Sequence, residues 1–178
     1  MRITISGPPG SGKTTACKKL SERLGIEAVV FGEIFRKLAK ERDMSLAELG
    51  ELAEKDPSID KMIDGMILDI AEDNPNIILE SRLAAHMLTQ NNIPAFRIYL
   101  EASPEVRIER VGIREGESYD EVYRHTIERQ SSETKRYKMY YDIDIEDKSV
   151  YDMIVSTDNL DPDQVVDTIL KGIEESTC

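Results

Sequence analysis

Residues Arg2 to Thr15 read RITISGPPGSGKTT, in which Gly7, Gly12, Lys13 and Thr14 meet the spacing G-x-x-x-x-G-K-[ST]. This pattern confines the chain to a strand, a tight turn and a helix in that order. Ile3 and Ile5 alternate as a buried strand would, and Ala16, Leu20 and Leu24 recur at helical spacing after the turn. Glycine tolerates backbone angles that let several N–H groups face one anion, and the following helix points its positive end at the same place. Gly7, Pro8, Pro9, Gly10, Ser11, Gly12, Lys13, Thr14 and Thr15 are therefore predicted to cradle the phosphates of a nucleoside triphosphate. Lys13 would bring charge to the outer phosphates, and Thr14 a hydroxyl to a Mg²⁺ bridging them.

Further strands are predicted at residues 28–31, 77–80, 95–100 and 152–156, making five with residues 2–6. Helical signals separate them. Gly25 closes the helix after the loop, and Gly32 to Arg36 begins another. Ser45 with Glu48 makes a capping box, Asp56-Pro57 starts a helix through Ile59, Ile63, Ile67 and Ile70, and a short helix spans Leu83 to Thr89. Ser103-Pro104 starts a helix that Gly116 ends, Ser118 with Glu121 opens a long polar helix to about Tyr141, and Asp161-Pro162 opens the last. Strand–helix alternation predicts an α/β fold, a five-stranded parallel sheet with helices on both faces and its ligands at the carboxyl ends of the strands. The helices between the second and third strands exceed what a crossover needs. They predict one domain with a core of residues 1–31, 66–108 and 142–178, a helical insertion at about 32–65 and a short lid at about 109–141.

Charge makes the arginines informative. The chain carries 35 acidic and 23 basic residues, a net charge of −12. Such a chain is a poor match for a nucleic-acid backbone, and to hold phosphates it must gather its cations locally. Arg36 follows Gly32 by one helical turn and Arg82 follows Glu80 past a strand end; each could hold a second anion opposite the triphosphate. Arg110, Arg114, Arg129 and Arg136 flank the Gly116 turn as a lid would, whereas Arg107 and Arg124 read as a solvated helix face. Glu33 and Glu80 are rim carboxylates suited to orienting Mg²⁺-bound water. Only Cys17 and Cys178 are present, so a disulfide framework is not expected. No apolar run approaches a membrane span, and the chain opens on a core strand, which predicts a cytoplasmic protein without membrane partners; a monomer is expected.

The succession of Gly7 to Thr15, Gly32-Glu33-Ile34-Phe35-Arg36, Leu79-Glu80-Ser81-Arg82-Leu83-Ala84, Arg110 to Arg114, and Glu128-Arg129 through Ser132-Glu133 to Arg136-Tyr137 resembles the archaeal-type cytidylate kinases over nearly the whole chain. These belong to the nucleoside monophosphate kinases. The resemblance implies phosphoryl transfer from ATP to CMP or dCMP, with Gly32, Arg36, Glu80 and Arg82 on the acceptor side and Arg36 and Arg82 gripping its phosphate. It implies that Lys13, Arg110, Arg114, Arg129 and Arg136 assist the transfer, the lid arginines bridging the two phosphate chains, and that Thr157 to Asn159 lie near the adenine. Ser81 stands where the resemblance leads one to expect glycine. The Gly-Phe-Pro-Arg run of adenylate kinases is absent, which favours a pyrimidine acceptor. The alternatives are an adenylate or shikimate-like kinase, or a non-catalytic nucleotide-binding module.

Overall fold

The computed structural model describes residues 1–116 and 118–176, so Cys178 lies outside the described residues. The predicted strands form one parallel sheet of β1 (Arg2–Ser6), β2 (Ala28–Val30), β3 (Ile77–Glu80), β4 (Phe96–Glu101) and β5 (Met153–Ser156), in the order β2-β3-β1-β4-β5. Its two faces follow the period-two alternation of the strands. Ile3, Ile5, Ile78, Ile98, Leu100 and Val155 pack under α1 (Lys13–Leu24) and α8 (Pro162–Ser176). Ile77 and Leu79 point the other way, against α5 (Ala84–Gln90) and the helices that intervene between β2 and β3.

Those helices are α2 (Phe31–Glu41), α3 (Leu46–Lys55) and α4 (Pro57–Asp73). The second strand is shorter than expected. It ends at Val30, and Phe31 already belongs to α2, with its ring in the core that the helices share with the sheet. That core is continuous: Leu49 and Ala53 of α3, Ile59, Ile63 and Ile67 of α4, and Leu79 of β3 form one buried cluster. After β4 come α6 (Pro104–Glu115) and α7 (Tyr119–Tyr141).

Local signals mark the helix ends. Ser45 and Glu48 close the capping box at α3, the Asp56 carboxylate accepts the Ser58 N–H at 3.0 Å, and Gly25 ends α1 with φ 65°. At α7 the Ser118 hydroxyl donates to Glu121, which also accepts the Ser118 N–H at 3.1 Å. Among the described residues, no helix is long and apolar enough to cross a membrane.

A buried side chain of the intervening helices should therefore cost global stability. Ile67, fully buried in α4, is the test: Ile67→Ala should lower unfolding free energy by about 2–5 kcal/mol in a single denaturant transition. A separate early transition of these helices would contradict the shared core.

Candidate active site

The phosphate loop leaves the carboxyl end of β1 under tight steric control. Gly7 has φ 147°, and a Cβ there would fall on the Leu100 carbonyl oxygen; Gly10 has φ 82°, and its Cβ would lie 2.5 Å from the Arg107 carbonyl oxygen. Both positions demand glycine for conformation and for space. The Ser11 N–H donates to the Pro8 carbonyl at 3.3 Å, and the Lys13 ammonium donates to the same oxygen at 2.9 Å. Burial lowers the Lys13 pKa to about 8, with Arg82 and Arg129 adding to the effect and Glu80 opposing it. The Thr14 hydroxyl donates to Glu80 Oε2 at 3.1 Å, joining the loop to the end of β3.

A cavity of about 440 Å³ extends from this loop. On one side Thr157, Leu160, Pro162 and Val165 form a wall beside Arg110. On the other, Gly32, Phe35 and Arg36 of α2 face Ile63 and Asp64 of α4 and Tyr137 of α7. Arg82, Arg114 and Arg129 also line it, so most of the arginines singled out from sequence converge here. Their mutual proximity is felt at Arg36, whose pKa is lowered by burial and by the charges of Arg114 and Arg129. Glu133, missed as a functional residue in the sequence, organises two of them. Its buried carboxylate accepts Arg82 Nε at 3.0 Å and Arg129 Nε at 2.9 Å. Burial pushes the Glu133 pKa up, but Arg129 and Arg82 outweigh it and hold the group below the usual carboxylate range.

Other candidates have different surroundings. Gly7 and Pro8 shape the loop behind the lining, which begins at Pro9. Arg110 is turned onto the loop's neighbour: it donates to Thr157 Oγ1 at 2.9 Å and to the Thr157 carbonyl at 2.7 Å, while the Thr157 hydroxyl donates to the Ser11 carbonyl at 3.1 Å. Arg136 does not line the cavity. Only 3% exposed, it pairs with Asp60 Oδ2 at 2.8 Å and donates to the Gly50 carbonyl at 3.3 Å, fastening α7 to α3 and α4. Glu33 does not line it either, being exposed and paired with Lys18 at 2.8 Å.

Arg107 is a correction. The expected solvated arginine is 7% exposed and donates to the Pro9 carbonyl at 3.2 Å, because Arg107, Ile108 and Val111 share the face of α6 turned inward. Arg124 is exposed, as read. Cys17 is buried and free, and burial pushes its thiol up to about 12, which makes it an inert core residue.

Two carboxylates on α4 also escaped notice. Asp60 and Asp64 adjoin the apolar stripe of Ile59, Ile63 and Ile67, both line the cavity, and both are buried. The Tyr141 hydroxyl donates to Asp64 Oδ2 at 2.8 Å. Burial raises the Asp64 pKa to about 7 against the opposing hydrogen bond from Tyr141, and Asp60 adds to the rise. The available signal was their i, i+4 spacing beside core isoleucines.

The chain matches the model of the cytidylate kinase-like family over residues 2–159. It is 46% identical to a cytidylate kinase of Methanococcoides burtonii over 176 residues, covering 99% of this chain and 98% of that one. A cytidylate kinase of Natronomonas pharaonis is 48% identical over 165 residues, covering 93% and 85%. The crystal structure of shikimate kinase from Aquifex aeolicus shares the fold, with a TM-score of 0.61, 22% identity and coverage of 99% and 98%.

The Asp64 environment predicts a stability slope. With a folded pKa raised to about 7 against about 3.9 unfolded, the native state binds the extra proton between those values. This group's contribution is thus fully present below about pH 4 and is lost as pH rises toward 7. Asp64→Asn should flatten that part of the stability curve, measured by urea titration at several pH values; an unchanged slope would show that Asp64 titrates normally.

Proposed function

The chain belongs to the cytidylate kinase-like family, and we propose that its cavity joins ATP to CMP or dCMP, moving the γ-phosphoryl group to the acceptor's phosphate. The observation that carries this is one cavity lined by a triphosphate loop and by Arg36, Arg82, Arg114 and Arg129. An ATP-binding module without an acceptor would have no use for that second set of guanidinium groups.

ATP lies with its phosphates on residues Pro9 to Thr15 and its base along Leu160, Pro162 and Val165. Lys13 leaves the Pro8 carbonyl to meet the outer phosphates. Arg36 and Arg82 hold the acceptor phosphate bidentately, and its oxygen, already anionic near neutral pH, attacks the γ-phosphorus without a general base. The bond from that phosphorus to the bridging oxygen breaks, giving ADP and CDP. Charge spreading over the transferred oxygens is met by Lys13, Arg114 and Arg129. Arg110 holds Thr157 against the loop, and so positions the donor end. Arg136 works at one remove, by fixing α7.

Thr14 and Glu80 offer a hydroxyl and a carboxylate beside the phosphates, a sparse oxygen set that suits Mg²⁺, which keeps several waters and takes the rest of its ligands from phosphate. That ion would neutralise charge on the triphosphate. We expect the α2–α4 helices and the α6–α7 lid to close over the nucleotides to exclude water. The chain would work as a monomer in the cytoplasm, without nucleic-acid or membrane partners.

ADP release measured with CMP, dCMP, AMP and shikimate tests the acceptor. The cytidylates should be fastest, and AMP or shikimate as the best acceptor would overturn the proposal. Lys13→Ala should lower kcat by ~10² or more. Arg82→Ala should raise KM for CMP at saturating ATP while leaving ATP binding near normal; an unchanged CMP dependence would remove Arg82 from the acceptor site.

A further inference from the structure

Phosphate handling leaves Asp64 without a task. It lines the cavity from α4 beside Ile63 and Tyr137, at 7% exposure, with Oδ2 already accepting the Tyr141 hydroxyl. The charged and titratable groups around it are Asp60 on α4 and Glu133, Arg136, Tyr137 and Tyr141 on α7. Of these, Arg136 is committed to Asp60 and Glu133 to Arg82 and Arg129. Glu133 is neutralised by two arginines, but Asp64 has a neutral hydroxyl as its partner, and such a carboxylate on the phosphate path would repel the acceptor; the part of a nucleotide that Asp64 suits is the base. Phe35, Ile63 and Tyr137 nearby offer surfaces for a flat ring.

Cytosine and uracil differ at two adjacent edge positions, position 4 and N3. At N3 cytosine has a bare acceptor nitrogen and uracil an N–H. At position 4, to which Asp64 is assigned, cytosine presents an amino donor where uracil presents a carbonyl acceptor. A buried carboxylate is an acceptor only, so it gains a partner from the first and repels the second. We propose that Asp64, oriented by Tyr141, accepts a hydrogen bond from the 4-amino group of the acceptor's cytosine and so selects CMP over UMP. This rests on the kinase assignment above. Asp64 is then a specificity residue that touches substrate, and Tyr141 a positioning residue behind it.

Titration gives the inference a second handle. Below about pH 7 Asp64 carries a proton and can donate to the uracil carbonyl; above it, only acceptance remains. The ratio of kcat/KM for CMP to that for UMP should therefore rise from about pH 6 to about pH 8. Taking a ratio cancels the ionisation of the acceptor phosphate near pH 6, which both nucleotides share.

The experiment measures kcat/KM for CMP and UMP at saturating ATP, across that pH range, for the wild-type protein, Asp64→Asn and Tyr141→Phe. Asn can turn an N–H toward the uracil carbonyl, so Asp64→Asn should lower the CMP:UMP ratio about 10- to 100-fold and abolish its pH dependence, with KM for ATP unchanged. Tyr141→Phe removes a donor that favours the charged carboxylate, so it should keep the CMP preference but move the midpoint to higher pH. A ratio unchanged in Asp64→Asn, or an equal loss with both nucleotides, would overturn the inference while leaving the kinase assignment intact. If Asp64→Asn does not fold, an unmoved midpoint in Tyr141→Phe overturns it. A wild-type protein inactive on CMP would overturn the kinase assignment, and this inference with it.

Discussion

A chain of net charge −12 that binds two phosphate chains at once must hold guanidinium groups together without a phosphate to neutralise them. Glu133 is the answer, a buried carboxylate shared by Arg82 and Arg129. Desolvating such a group is costly unless it is paired, and here two cations pair it. The arrangement keeps both arginines pre-oriented beside the loop, so the entropy of placing them is lost on folding and not on binding. Lys13, parked on the Pro8 carbonyl with its pKa lowered, is the complementary half.

Helix α7 brings Arg129, Glu133 and Tyr137 to the cavity and ties other elements to it. Arg129, Glu133 and Tyr137 lie on one side of this helix at successive intervals of four, with Arg136 and Tyr141 adjoining. Arg136 and Tyr140 fasten it to α3, the Tyr140 hydroxyl donating to the Ala53 carbonyl at 2.7 Å, while Tyr141 donates to Asp64 of α4. Arg82 and Arg129 through Glu133, Asp60 through Arg136 and Asp64 through Tyr141 are therefore all tied to one helix. The same linkage explains why Arg136, which sequence order groups with the lid arginines, is spent on holding helices together.

Much of the fold was legible because its signals are local. The glycine spacing of the loop, the apolar run of Ile77 to Leu79, the capping box at Ser45 and the Asp56-Pro57 start are each written within a few residues and need no partner elsewhere. Phe31 was misread as strand because its apolar character fits either state, and only the core beneath α2 decides between them. Arg107 was misread for a like reason. Helical periodicity reports which residues share a face, but not that the face is pressed against a loop nearly a hundred positions earlier.

By itself the sequence determined that a triphosphate loop exists, that it lies on a parallel α/β sheet, and that arginines Arg36 and Arg82 follow strand ends where a second ligand could lie. These follow from backbone conformation and short-range periodicity, which are properties of neighbouring residues. Only the tertiary structure decided which arginines share a cavity, that Glu133 bridges two of them, that Arg110 binds Thr157, and that Asp60 and Asp64 turn toward the site. Side-chain pairing and desolvation depend on residues far apart in the chain being brought within hydrogen-bond distance, as with Arg110 and Thr157, 47 positions apart, and Arg82 and Glu133, 51 positions apart. No local pattern encodes such separations.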